Sequence, residues 1–420
     1  MITSDAGLSS TTMSVSIQKL PPEIFPSILS YLDRPSLFAV LTTARFLHPH
    51  AEYLLYRRVD FREGPVSNTQ TIGFLVSVVQ NPRLGSLVSS FYADVVNHQM
   101  DIPSTSKLSV DLLPYAMKFF PNLKSIALSQ FSLNGMIPEC LRWPPNQAPP
   151  FQLERLALEI RRPRGFQFAE HLLQLLQHQP ALRHLSLIFS MPSIWSDPLL
   201  GTTPADPEDI CPSLEMLEGT NSVIQLLLPK RRIKSLFWEC TRPYRGEPLC
   251  SADLEEDSHF RDSFFTPGLC EAYGHLENLV MYDQIWFIFI LSTYLKSLKT
   301  LLLSISVTLQ SEKPHWDEGA FLRAVGEMEN LEVLVVTFLQ ESDVGLDPKV
   351  VFAASRSLKY FAFTINGRKR SLDRAVFMER RADGAIYPVG QGIFDDIPYL
   401  HNGWFTFQTE DGSDTSAFVT

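Results

Sequence analysis

The side chains best suited to chemistry at neutral pH are poorly placed for it in this sequence. Of ten histidines, the closest helical pairs, His48/His50 and His171/His178, miss the i, i+4 spacing that brings two ligands onto one helix face. They read as helix-terminal or surface residues. The five cysteines, Cys140, Cys211, Cys240, Cys250 and Cys270, are odd in number, contain no C-x-x-C and are too scattered for a zinc ribbon or a disulfide scaffold. There is no G-x-S-x-G elbow, P-loop, H-E-x-x-H or G-x-G-x-x-G. Carboxylates are plentiful, but nothing in the sequence pairs two of them. The expectation is a non-enzyme, with no catalytic residue, metal site or cofactor.

Basic clusters offer binding chemistry instead. Arg161-Arg162-Pro163-Arg164 follows a strand signal, and Arg368-Lys369-Arg370 follows the last repeat of the array described below. In a stack of parallel strands, the loops after the strands gather on one rim. Arg161, Arg162, Arg164, Arg368, Lys369 and Arg370 are therefore candidate target-binding residues for an acidic or phosphorylated segment. A third cluster, Lys230-Arg231-Arg232-Ile233-Lys234, overlaps the start of a strand and reads equally as a nuclear-localisation signal.

The whole chain is not basic. Its 420 residues carry a net charge of −10 with a pI near 5.5, which argues against a dedicated nucleic-acid or anionic-membrane binder. Hydrophobic residues make up 45%, so a large core is available. The longest apolar run, Ile285 to Leu295, falls short of the roughly 20 residues needed to cross a bilayer. The Ser/Thr-rich residues 1–16 lack the apolar core of a signal peptide and read as disordered. An intracellular location follows, cytoplasmic and/or nuclear.

Two kinds of element must carry any binding surface. The first is a short helical head at 17–61. Ile24, Ile28, Leu29 and Leu32 recur at helical spacing behind Leu20-Pro21-Pro22-Glu23, with the regular helix starting no earlier than Glu23 because of Pro26. Asp33-Arg34-Pro35-Ser36 signals a second helix, in which Leu37, Val40, Leu41 and Ala44 share a face. A third, shorter piece follows Pro49 and ends at Tyr56-Arg57-Arg58-Val59. Three helices this short bury little core unaided, so their apolar stripes serve either the head's own interior or another protein.

The second element is a repeat array at 62–370. An apolar residue followed by others three and five positions later recurs ten times, from Val88/Phe91/Ala93 to Leu358/Phe361/Phe363. Leucine, at 57 of 420 residues, dominates these positions. The mean period is 30 residues, with adjacent intervals of 19 and 43 around Ile233/Leu236/Trp238. Helical segments precede several repeats, most clearly Phe168 to His178. The unit is helix, short loop and L-x-x-L-x-L strand, stacked into one continuous core. Residues 137–150 and 241–268 read as loop insertions. Asp383-Gly384 signals a hairpin in a β-containing cap at 371–420 that frays after Gln408.

The head, through Leu20, Pro21, Glu23, Ile24, Ile28, Leu29, Leu32, Asp33, Leu37 and Val40, resembles an F-box, and the array resembles an irregular leucine-rich repeat. The resemblance implies an α/β repeat fold: a three-helix F-box, then a solenoid with parallel strands on the concave face and helices on the convex face. The asparagine usual after the last leucine is mostly missing, so uneven curvature is expected. The F-box pattern also departs after Arg45, where Phe46-Leu47-His48 stands in place of a tryptophan. The family implies a substrate receptor of an SCF-type ubiquitin ligase. Leu20, Pro21, Pro22, Glu23, Ile24, Ile28, Leu29, Leu32, Leu37, Val40 and Leu41 would bind a Skp-type adaptor, and through it a cullin scaffold, while the repeats hold an unknown protein substrate. A non-ligase interaction scaffold of the same architecture is the alternative.

Overall fold

The computed structural model of this chain describes residues 21–61, 67–94, 112–132, 148–161, 166–190, 209–239, 262–282, 285–305, 317–338, 346–365 and 376–389. Three helices open it: α1 (Ile24–Leu29), α2 (Arg34–Thr43) and α3 (His48–Arg57). Among the described residues thirteen strands follow in one sheet, in chain order from β1 (Arg58–Phe61) to β13 (Ile386–Pro388). Neighbours from β1 to β11 (Tyr360–Ile365) pair in parallel. Each is in most cases preceded by a helix, such as Phe166–Gln177, Pro267–Tyr273 and Glu318–Glu327. The strand ladder makes this a helix–loop–strand solenoid.

The register explains why the apolar spacing works. Phe91 pairs with Ile126, Ile126 with Leu156, Leu156 with Leu185 and Leu185 with Leu217, and the row continues to Phe361. Every such residue points to the helix side, where one core cluster runs from Val59 to Phe361. The repeat with unequal intervals keeps its place, because β7 (Ser235–Glu239) pairs with β6 (Met216–Gly219) and β8 (Asn278–Tyr282) alike. Its short side closes tightly. Gly219 leaves room for Val223, whose Cγ1 would lie 2.6 Å from any added Cβ, and its register partner Trp238 fills the volume beneath and donates its indole N–H to Asn221 Oδ1 at 2.7 Å. One register shift, between Leu128 and Phe131, interrupts the pairing of β3 (Ser125–Ser132) with β4 (Arg155–Arg161).

One end differs from the sequence reading and the other agrees with it. The head was expected to occupy all of 17–61, yet Arg58–Phe61 is the first strand of the solenoid and pairs with β2 (Ser90–Asp94). Tyr56/Val59/Phe61 thus repeats the three-and-five spacing once more, masked because Tyr56 also completes the helical pattern of α3. At the far end β12 (Val376–Arg380) turns antiparallel onto β11 and pairs with β13. Gly384 takes φ +82° in the connecting turn, while Asp383 Oδ1 accepts the Ala385 N–H at 2.9 Å. The short last strand ends at Pro388, which has no N–H to offer another chain.

The strand-lined face is largely closed at its centre: Tyr92, Ala127, Ala157, Ser186, Glu218, Phe237, Val280, Val335 and Ala362 are buried. The rim just ahead of the strands is open and charged. There the second residue of nine consecutive repeats alternates strictly in sign: Lys124, Glu154, Arg183, Glu215, Lys234, Glu277, Lys299, Glu332 and Lys359. Backbone N–H groups along this row donate to the preceding member's carbonyl, at 2.7 Å for Glu154 to Lys124 and 2.8 Å for Lys359 to Glu332. Ion pairs join Lys124 to Glu154 (2.8 Å), Lys299 to Glu277 (2.8 Å) and Lys359 to Glu332 (3.0 Å).

Candidate docking surface on the helical head

Helix α1 is only six residues long and apolar at four of them. Ile24/Ile28 and Phe25/Leu29 are both i, i+4 pairs, set about 100° apart on the helix. A six-residue helix in a small head cannot bury both. Phe25 and Leu29 turn inward, where Leu37, Leu47, Ala51 and Leu55 close a separate small core. Ile24, Ile28 and Leu32 remain 41%, 39% and 37% exposed. Tyr31 and Phe38 stand out further, at 90% and 61%.

Helix α2 starts at a well-formed cap. Asp33 Oδ1 accepts the Ser36 N–H at 2.9 Å, and hydrogen bonding from the Ser36 side chain, with this backbone bond second, holds the Asp33 carboxyl below its ordinary range. Pro35 sits in the first turn, where its missing N–H costs nothing. Its Leu37, Val40, Leu41, Ala44 face packs inward. Pro49 likewise opens α3, where His48 Nδ1 lies 3.2 Å from the Leu41 carbonyl oxygen. At the point where the sequence departs from the F-box pattern, Leu47 enters the interior and the Phe46 ring packs edge-on against Phe25, with centroids 5.8 Å apart.

The expected adaptor-binding residues therefore divide. Pro21, Pro22, Glu23, Ile24, Ile28 and Leu32 are exposed on the head, while Leu20 lies outside the described residues. Leu29 and Leu37 are corrections: both are buried in the head's own core, because the neighbouring stripe supplies the outward face. Val40 and Leu41 are half-buried against that core and serve mainly to join α2 to α3. Tyr31 and Phe38 are exposed apolar residues that the sequence reading did not single out. Phe38 directly follows the inward Leu37, which places it on another face, and that offset was the available signal.

The head is fixed to the array. Helix α3 ends at Arg57 and β1 begins at Arg58. Arg83 donates two hydrogen bonds to the buried Glu52 carboxylate, from Nη1 to Oε2 at 2.8 Å and from Nη2 to Oε1 at 2.6 Å. Tyr56 stacks on Phe74 of α4 (Ser67–Gln80), with centroids 6.0 Å apart.

The other candidates are less informative. Arg161 ends β4, whereas Arg162, Arg164, Arg368, Lys369 and Arg370 lie outside the described residues. Among the described residues no group of histidine, cysteine and carboxylate side chains is arranged to hold a metal, and no helix is long and apolar enough to cross a membrane. Cys211 is buried, donates from Sγ to the Leu176 carbonyl oxygen at 3.3 Å, and has its thiol pushed up to about 12 by burial. A thiol so held is a poor nucleophile at neutral pH.

A family model described as F-box-like matches residues 17–62. No curated protein gives a significant match to the chain. Solved structures that match include the crystal structure of an internalin from Listeria monocytogenes, 12% identical, covering 70% of this chain and 74% of that chain, with a TM-score of 0.30. That likeness is too slight to add to the strand ladder. The chain thus carries an F-box-like domain at its head, followed by a long, mostly parallel sheet of helix–loop–strand repeats.

Proposed function

We propose that this chain is the substrate-recognition subunit of an SCF-type ubiquitin ligase. The observation that carries the reading is the exposed apolar ridge of Ile24, Ile28, Tyr31, Leu32 and Phe38 on an F-box-like domain. Clustered exposed side chains of this kind mark a protein-docking surface. Fully burying each aliphatic member would contribute about 1.5–3 kcal/mol before the costs of association. The ridge binds a Skp-type adaptor that holds a cullin, and the array from residue 62 to 370 holds the target, with 371–420 as its cap. The chain itself performs no bond chemistry. It holds a target lysine close to a charged conjugating enzyme, acting through effective concentration. Such a role belongs in the cytoplasm or nucleus.

Co-purification of the full chain with a recombinant Skp-type adaptor and cullin tests this. Recovery of both supports the receptor. Recovery of the adaptor without cullin would replace it with a scaffold that uses the same head outside a ligase.

A further inference from the structure

The turn between α1 and α2 holds a hydroxyl in the middle of the docking ridge. Ser30 caps the C-terminal end of α1, where its N–H donates to the Pro26 carbonyl oxygen at 2.9 Å. Its Oγ donates to the Ser27 carbonyl oxygen at 2.7 Å, one of the acceptors that a helix end leaves without an intrahelical partner. Ridge residues flank it in the chain, Ile28 before it and Tyr31 and Leu32 after it. All residues from 30 to 35 are exposed, and Asp33 is extended, at φ −68° and ψ 165°. An exposed turn of this kind is within reach of an enzyme that acts on the chain.

The residues after this serine add a recognition signal. Across the whole sequence only Ser30, with Asp33, and Thr203, with Asp206, are hydroxyl residues followed by a carboxylate three positions on. Thr203 lies outside the described residues. A kinase with basic groups in its substrate groove reads this spacing, because lysine and arginine pair strongly with a carboxylate set at a fixed distance from the acceptor hydroxyl. Of the 46 aspartates and glutamates, one alone marks a serine in this way, and it does so on the ridge.

We propose that Ser30 is a phosphorylation site for an acidophilic serine kinase and that its phosphate blocks adaptor docking, which rests on the reading of the ridge as the adaptor surface. In the transfer, Ser30 Oγ bonds to the γ-phosphorus of ATP and the bond from that phosphorus to the bridging oxygen breaks. ADP leaves, and the hydroxyl proton passes to the kinase's base. The new group carries roughly −1.5 to −2 charge at pH 7. It removes the proton that Ser30 donates to Ser27. It stands at the carbonyl end of α1 and three residues from the Asp33 carboxylate, both of which repel an anion. It also places a charged group where an apolar contact must shed its water, at far greater cost than a neutral hydroxyl. A seated adaptor covers the same turn, so the free chain is the kinase's substrate and the assembled chain is protected.

The test treats the full chain with a recombinant acidophilic kinase of the casein-kinase type and Mg-ATP, with and without prior saturation by a recombinant Skp-type adaptor. Mass spectrometry locates the phosphate, and calorimetry gives the adaptor affinity of each sample. Ser30 of the free chain gains the phosphate, and the adaptor-saturated chain gains far less. The phosphorylated chain loses at least about tenfold in adaptor affinity, and phosphatase treatment restores it. Ser30→Ala, treated with the same kinase, keeps its affinity within about twofold, which separates Ser30 from any effect of Thr203. The array's melting transition is the same in all samples and reports that the change is local. Absence of phosphate from Ser30, or a Ser30-phosphorylated chain that binds the adaptor as tightly as the unmodified one, overturns the proposal and leaves the ligase reading intact. Failure of the unmodified chain to bind the adaptor removes the ligase reading and this switch with it, even where Ser30 takes the phosphate.

Discussion

Ile28 and Leu29 are chain neighbours of similar size on one short helix, yet one is left in solvent and the other builds the head's interior. Phe25 decides between them, since the larger ring gains more from burial and takes Leu29 with it. A stripe count from sequence merges the two faces, because six residues are too few to separate neighbours 100° apart. Cys211 shows burial acting on a titration. Its folded-state value of about 12 exceeds the ordinary 9.0, so the unfolded chain gives up this proton first as pH rises. The thiol's neutral form therefore favours the folded state less and less between pH 9 and 12, by up to about 1.4 kcal/mol per pH unit. Urea midpoints measured from pH 8 upward for wild type and Cys211→Ala should diverge, with wild type falling more steeply above pH 9. Parallel curves would mean that the thiol titrates normally.

At the scale of the element, the apolar spacing was legible almost throughout. Ten of the parallel strands fall where the three-and-five pattern puts them, because each needs the same two inward residues. The strand missed, β1, shares Tyr56 with the pattern of α3, and periodicity cannot assign one residue to two elements. The alternating charges were overlooked for a different reason: they occupy the variable position between two leucines, and only the ladder shows them as neighbours. Opposite charges facing each other across strands stabilise a given register, and like charges oppose it. Glu332→Lys should place three cations in a row with Lys299 and Lys359. It should lower the unfolding midpoint at low salt, and most of the loss should be recovered at roughly 0.5 M salt, where the screening length falls to a few ångströms. The double change Glu332→Lys with Lys359→Glu should recover part of the loss without added salt. Equal midpoints for wild type and Glu332→Lys at low salt would show the row to be energetically silent.

For the whole molecule, the architecture links two surfaces through a short, stiff path. Continuity from α3 to β1, the Glu52–Arg83 pair and the Tyr56–Phe74 stack leave no flexible linker between head and first repeat. An adaptor seated on the head would then see the array in one orientation, as delivery of a target to a fixed reaction centre requires. Sequence reasoning reached the two-part plan, since each part has its own periodicity, but not the junction, whose contacts join residues 31 positions apart. The most direct measurement is the affinity of the full chain for a recombinant Skp-type adaptor, compared with Ile28→Asp combined with Leu32→Asp. A charge buried in an apolar interface costs several kcal/mol, so the account predicts a loss of at least about 100-fold with the array's melting transition unchanged. Undiminished affinity in that variant would contradict the assignment of this face as the docking surface.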